Sequence, residues 1–214
     1  MIAIVRMKAQ EGRDRLWDSI LAHVPELQER LQKQGCLLYL SQRAGHKDSS
    51  LFVHVADPDV LGSLIADNLS KLEGLTGCWV ITMLQPIFFP LPRDTRKFRR
   101  YTVTLKVFPS RLADVYKSLS RTDPPPGIMM AYLAYTCHLY GDCMQFSALA
   151  EDEPSIMSYL DEKVRTLPGV LQMTASPIEK TRPLISYDEW KNYSTRHSLV
   201  PPWNEAQMIQ QFSS

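Results

Sequence analysis

The most constraining feature of the chain is that it nearly repeats itself. TLPGVLQMT at Thr166–Thr174 has a looser counterpart in KLEGLTGCW at Lys71–Trp79. Superposing Gly74 on Gly169, 95 positions apart, also lays Leu72 on Leu167, Asp57 on Asp152 and Leu61 on Ile156. One chance glycine would not hold that register, so an internal duplication is expected. A repeat near half of 214 residues favours two units over one large domain, since domains commonly run about 100–150 residues.

Hydrophobic residues make up 44% of the chain, enough for a packed core, and 15 prolines against 9 glycines point to well-marked element ends rather than low complexity. Net charge is +1, which excludes a global field that would recruit nucleic acid or anionic lipid. MIAIVRMKAQEGRDR turns polar within a few residues, and no apolar run approaches the roughly 20 that span a bilayer. The expectation is a soluble, cytoplasmic protein without a membrane partner. Cys36, Cys78, Cys137 and Cys143 are dispersed, with no C-x-x-C pair, as reduced thiols are.

IAIVRMKA alternates as a strand does, and Leu16, Ile20, Val24, Leu27 and Leu31 recur at helical spacing from about Arg13 to Gln34, with Pro25 as a possible kink and Gly35 as the expected C-cap. CLLYLSQ and LFVHVAD read as strands, Asp57 and Asp59 as caps of a helix ending at Gly74, and CWVITMLQPIFF as a fourth strand. PLPRDTRKFRR breaks the pattern, after which the order begins again. A strand at Tyr101–Val107, a helix capped by Ser110, a hairpin turning at Tyr140–Asp142, a helix with Pro154 in its first turn, and a last strand after Gly169 follow.

Twice β-α-β-β-α-β is the order of a ferredoxin-like unit. The predicted fold is therefore α+β, two tandem ferredoxin-like units whose antiparallel sheets pack as a pseudo-dimeric α/β barrel. The units span 1–92 and 101–190, joined by a basic linker at 93–100 and followed by a tail at 191–214.

YGDCMQFSALAEDEPSIMSYLDEKVRTLPGVLQMTASPIEK, Tyr140–Lys180, resembles the effector-binding (RAM) domain of the Lrp/AsnC family. The resemblance rests on Gly141-Asp142, Met144–Ala150, Asp152, Leu167-Pro168-Gly169-Val170 and Thr174 with Ile178. The first half matches more loosely through Asp48, LFVHVADPD and KLEGLTG. Regulators of that family carry an N-terminal helix-turn-helix, whereas this sequence opens directly on the first strand. The resemblance thus implies a small-molecule-binding or assembly module without its own DNA reader, and no sequence-specific nucleic-acid partner.

Strand parity sharpens this. Ala3, Val5, Met7, Leu51, Val53 and Val55 fit a helix-covered face, which assigns Arg6, Phe52 and His54 to the other. In the second half Tyr101, Val103, Leu105, Val107, Phe146 and Ala148 fit the helix side, leaving Thr102, Thr104, Lys106, Gln145 and Ser147 opposite. Arg6, His54 and Lys106 are then expected in the space between the two sheets, where buried cations need carboxylates, water or an anionic ligand. The reading is a pocket for a carboxylate-bearing molecule, with Arg6 as bidentate clamp and Lys106 as point charge. The bland alternative is that both stems pack while their heads reach solvent. Gly141 and Asp142, with their counterpart turn Gly45–Asp48, are further candidates because the resembled family holds its effector near this hairpin. Gly-Asp is also an ordinary hairpin turn. Cys137, His138 and Cys143 lack zinc-site spacing, so no metal is expected.

No nucleotide-binding or hydrolase motif is present, and no cofactor is identified. Three functions stay open: a regulatory module sensing an amino acid or related carboxylate; an α/β-barrel enzyme, monooxygenase-like or decarboxylating tetrapyrrole carboxylates as some Lrp-like relatives do, with His54 as acid; and a structural assembly protein. For the last, the tail beyond Trp190, with Trp203 and an amphipathic stretch after Asn204, would contact a protein partner or a second copy.

Overall fold

The structure is a computed structural model that describes residues 1–10, 12–137 and 143–196, the last four without side chains. Backbone hydrogen bonds link its strands in the order β1-β3-β2-β8-β5-β7-β6-β4, and β4 pairs back to β1, the connectivity of a closed antiparallel eight-stranded α+β barrel. The strands are β1 Ile2–Ala9, β2 Gly35–Arg43, β3 Asp48–Val55, β4 Leu75–Phe88, β5 Arg99–Val107, β6 Ile128–Cys137, β7 Met144–Ala150 and β8 Val170–Pro183. The helices are α1 Arg13–Leu31, α2 Pro58–Ser63, α3 Leu112–Arg121, α4 Glu153–Tyr159 and α5 Tyr187–Arg196. No helix among the described residues is long and apolar enough to cross a membrane.

The chain divides into two compact units. Unit 1 is Met1–Met83 with Ile178–Ser186, and unit 2 is Leu84–Pro177 with the residues from Tyr187 on. β4 and β8 therefore each contribute to both.

In unit 1, one face of the sheet packs Ala3, Val5, Met7, Leu51, Val53 and Val55 against Leu16, Trp17, Ile20, Leu27 and Leu31 of α1 and Leu61 and Leu64 of the second helical segment. α1 runs unbroken through Pro25, so the proline does not split it. It ends at Gln32 in right-handed conformation rather than at a cap glycine. Gly35 serves a different need: a Cβ there would lie 2.1 Å from the His54 carbonyl, so only glycine lets β2 start this close to β3. α2 begins as expected, with the Asp57 carboxylate accepting the Val60 N–H at 2.9 Å, then continues as a π turn over Leu64–Asn68.

Unit 2 repeats the plan. Tyr101, Val103, Leu105, Val107, Phe146 and Ala148 pack on Val115 and Leu119 of α3 and on Ile156, Tyr159, Leu160 and Val164 of α4 and its π turn. Asp152 accepts the Ser155 N–H at 2.7 Å, the counterpart of the Asp57 cap. Ser110 does not cap α3; it lies inside a 3-10 turn, Pro109–Arg111, that leads into the helix without a side-chain cap. Both helix-to-strand glycines, Gly74 at φ 81° and Gly169 at φ 103°, adopt the left-handed backbone that disfavours other residues.

Arg99 and Arg100 belong to β5, and the linker cations find local partners: Arg93 reaches Asp188 at 2.9 Å and Lys97 reaches Glu151 at 2.7 Å. Phe88 meets Trp190 of α5 edge-on at 5.0 Å, which fastens that helix to unit 2.

Candidate functional site

In each unit the face away from the helices is the polar one. Across unit 1 the strand register aligns Trp79, Arg6, Ser50 and Ser41 on β4, β1, β3 and β2, so these four side chains share that face. One level further lie Asp48 and Arg43. Apolar Ile81, Ile4, Phe52 and Tyr39 form the adjoining row, with Tyr39 and Phe52 edge to face at 5.6 Å.

Asp48 is the centre of this arrangement. Its side chain is 7% exposed, and both oxygens accept from Arg43 Nη2 at 2.9 and 3.2 Å. Arg6 Nε lies 3.8 Å and His46 Nδ1 3.9 Å from the same carboxylate. Burial pushes the His46 imidazole below its ordinary pKa of 6.5, the Arg43 charge pushes it further down, and Asp48 opposes both. The arginines are held by what surrounds them. Arg13 Nη1 donates to the carbonyls of Arg43 and His46 at 3.2 and 3.1 Å while its Nη2 reaches Glu179 at 2.7 Å, and this ties the β2–β3 turn to α1 and β8.

Two N–H donors of this face are buried and find no acceptor among the described residues: Arg43 Nε and Trp79 Nε1. A buried donor left unsatisfied costs about 1–3 kcal/mol, so such groups mark places where water or a ligand completes the bonding.

Unit 2 offers a neutral counterpart. Thr174, Thr104, Gln145 and Ala134 occupy its equivalent row. The Gln145 amide donates to the Tyr132 hydroxyl, Thr104 and Thr174 share a hydrogen bond, and Ser147 donates to the Tyr101 carbonyl at 3.0 Å. These groups satisfy one another.

Of the residues singled out in the sequence, Arg6 and His54 share the unit 1 face but are not adjacent. Arg6 pairs with Ser50 and His54 with Ile2, four residues or roughly 13 Å along the strand. Lys106 is half-buried at the end of β5 opposite Gln172, and Gln145 lies two residues back on the neighbouring strand. Gly141 and Asp142 lie outside the described residues, as do His138, Trp203 and the stretch after Asn204. Among the described residues no group of three or more metal-ligating side chains comes together. The sequence offered Asp48 through the family resemblance and as the end of a candidate turn, yet it is a buried strand residue. Trp79 and Arg43 were missed, although period-two counting from Val80 and from Leu40 puts both on the face of Arg6. Away from this face, an open groove of about 350 Å³ between the end of α1 and the start of α2 is lined by Arg30, Gln34, Asp57 and Asn68 and has Asp57 already committed to its cap.

No known family pattern matches the chain, and no curated protein does. Solved structures do. A monooxygenase-like protein from Lactobacillus acidophilus NCFM superposes at TM-score 0.53 with 10% identity, over 86% of this chain and 96% of its own. An anthrone oxidase-like protein superposes at 0.55 with 8% identity, over 87% and 95%. A chlorite dismutase variant from Candidatus Nitrospira defluvii superposes at 0.52 with 11% identity, over 84% and 92%. Likeness at this identity defines the class of fold, the ferredoxin-like α/β barrels, and leaves the chemistry to the site. The similarity is to monooxygenase-like and chlorite dismutase-like barrels and does not specifically show an Lrp/AsnC effector domain.

Proposed function

We propose that the chain is an α/β-barrel enzyme that binds a small carboxylate or other oxyanion on the helix-free face of unit 1, with Arg6 and Arg43 as its clamp. The observation that carries the reading is the pair of buried, unengaged donors, Arg43 Nε and Trp79 Nε1, on the same face as the Arg6–Asp48–Arg43 cluster. Asp48 orients the guanidinium groups and balances part of their charge, and an anion supplies what the remaining donors lack. Fold analogy favours an enzyme over a sensor, because the similar barrels named above carry oxidase, monooxygenase or dismutase names. The strand orders β4-β1-β3-β2 and β8-β5-β7-β6 support reading each half as a ferredoxin-like unit, with the joint of the duplication in residues 93–100.

Regulatory carboxylate sensing is the second reading, favoured by the RAM-like run from Tyr140 to Lys180, whose capped helix and Gly169 turn match that pattern. It uses the same face and differs in leaving the ligand unchanged. The test is a thermal-shift screen against small carboxylates and tetrapyrroles, followed by mass spectrometry of each stabilising compound after incubation. A ligand at 100 times its Kd adds about 2.7 kcal/mol of stability. Stabilisation lost in Arg6→Met together with turnover of the compound is expected. Stabilisation without turnover under any redox condition would favour the sensor, and no shift with any anion would end the proposal.

A further inference from the structure

We infer that the ligand of the unit 1 face brings hydrogen-bond acceptors only, which makes it a 2-oxo acid rather than an amino acid. This deepens the oxyanion reading above and rests on it. The inference comes from matching donors to acceptors on the helix-free sides of β1, β2, β3 and β4. Indole Nε1 and guanidinium Nε are donors that cannot accept, and those of Trp79 and Arg43 are buried without a partner among the described residues. Asp48 is the one carboxylate among the described positions of that face, and it is already occupied, by Arg43 at 2.9 Å, Arg6 at 3.8 Å and His46 at 3.9 Å. An α-ammonium group would need that carboxylate and would meet two guanidinium charges beside it. The hydroxyls of Ser41, Ser50 and Tyr39 serve in either role and do not discriminate. Replacing the ammonium by a keto oxygen removes the conflict and gives the unengaged donors an acceptor. The row of Ile4, Phe52, Tyr39 and Ile81 beside the cluster offers an apolar side-chain subsite.

The experiment is calorimetric titration of the full chain with two matched pairs, 4-methyl-2-oxopentanoate against leucine and phenylpyruvate against phenylalanine, with inorganic phosphate as a bare oxyanion. Trp79→Phe keeps an aromatic ring, though a smaller one, and loses the donor, and Arg43→Lys keeps the charge and loses Nε. Circular dichroism and melting temperature establish that each variant folds. We expect each oxo acid to bind at least about tenfold tighter than its amino partner, and each variant to weaken the oxo acid about three- to tenfold, as loss of one buried hydrogen bond does. Amino acids binding as tightly as oxo acids, with both lost in Arg6→Met, would overturn the inference while leaving the oxyanion reading intact. Phosphate binding alone would have the same consequence. Variants that fold and bind like the parent would also overturn it. Silence from all five probes, and from the wider screen above, would remove the oxyanion reading and this inference with it.

Discussion

The two units keep the same helix-covered face and differ on the helix-free one. Leu51 and Phe146 occupy equivalent core positions, both fully buried, and Asp57 and Asp152 make the same cap. On the helix-free side, Trp79, Arg6, Ser50 and Ser41 of unit 1 stand where unit 2 has Thr174, Thr104, Gln145 and Ala134. Asp48 corresponds to Cys143, whose thiol donates to the Val107 carbonyl at 3.8 Å. Packing against helices holds the core face to apolar residues of fitting volume, whereas the other face, although also buried at Ile4, Ile81, Gln145 and Ser147, mixes apolar and polar side chains. The helix-free face of unit 1 is charged with donors to spare, and that of unit 2 is neutral and mutually hydrogen-bonded.

Core substitutions should treat the units alike: Phe146→Ala and Leu51→Ala are each expected to destabilise by about 3–4 kcal/mol in chemical denaturation. A loss under about 1 kcal/mol in either would mean the cores are not equivalent. Next in size, Asp48→Ala leaves buried guanidinium groups without their carboxylate and should cost about 3 kcal/mol, while Cys143→Ala should cost under about 1. Equal effects would erase the contrast between the helix-free faces. Removing the Asp57 cap by Asp57→Ala should cost about 1 kcal/mol. Its counterpart gives a pH signature: hydrogen bonds from Ser155 hold the Asp152 carboxyl below its ordinary 3.8. That stabilisation is complete above pH 3.8 and disappears as acid protonates the folded group, which denaturation midpoints between about pH 5 and pH 2, compared with Asp152→Asn, would reveal.

The smallest expected effect belongs to His46. With its folded pKa depressed, its contribution is full above pH 6.5 and is lost as the pH falls through the folded value. Arg43→Gln should move the imidazole back toward 6.5 and Asp48→Asn should lower it further, both measurable by proton NMR titration. An unchanged value in both variants would mean that burial alone sets it.

Period-two alternation in IAIVRMKA and LFVHV was enough to sort Arg6 and His54 from Val5 and Val53, because a strand leaves no intermediate orientation. The aspartate caps and the left-handed glycines were equally readable, since each answers a local backbone need. Gly35 was misread for an instructive reason: its requirement comes from the carbonyl of His54 on the next strand, which no local pattern reveals. The Asp48 cluster was hidden likewise. Asp48 read as the end of a turn and Arg43 was not singled out, and only the pairing of β2 with β3 and of β1 with β4 joins them to Arg6 and Trp79 on one surface.

Unit 1 is assembled from both ends of the chain, since Thr181, Arg182 and Pro183 pair with Ser41, Leu40 and Tyr39. A ribosome that has just released residue 90 has therefore made a sheet whose β2 margin is still bare, open to sticking to any passing strand. The nascent protein must carry that raw edge through the synthesis of all of β5, β6 and β7 before its own closing segment emerges, and a fragment cut at the joint would keep it permanently.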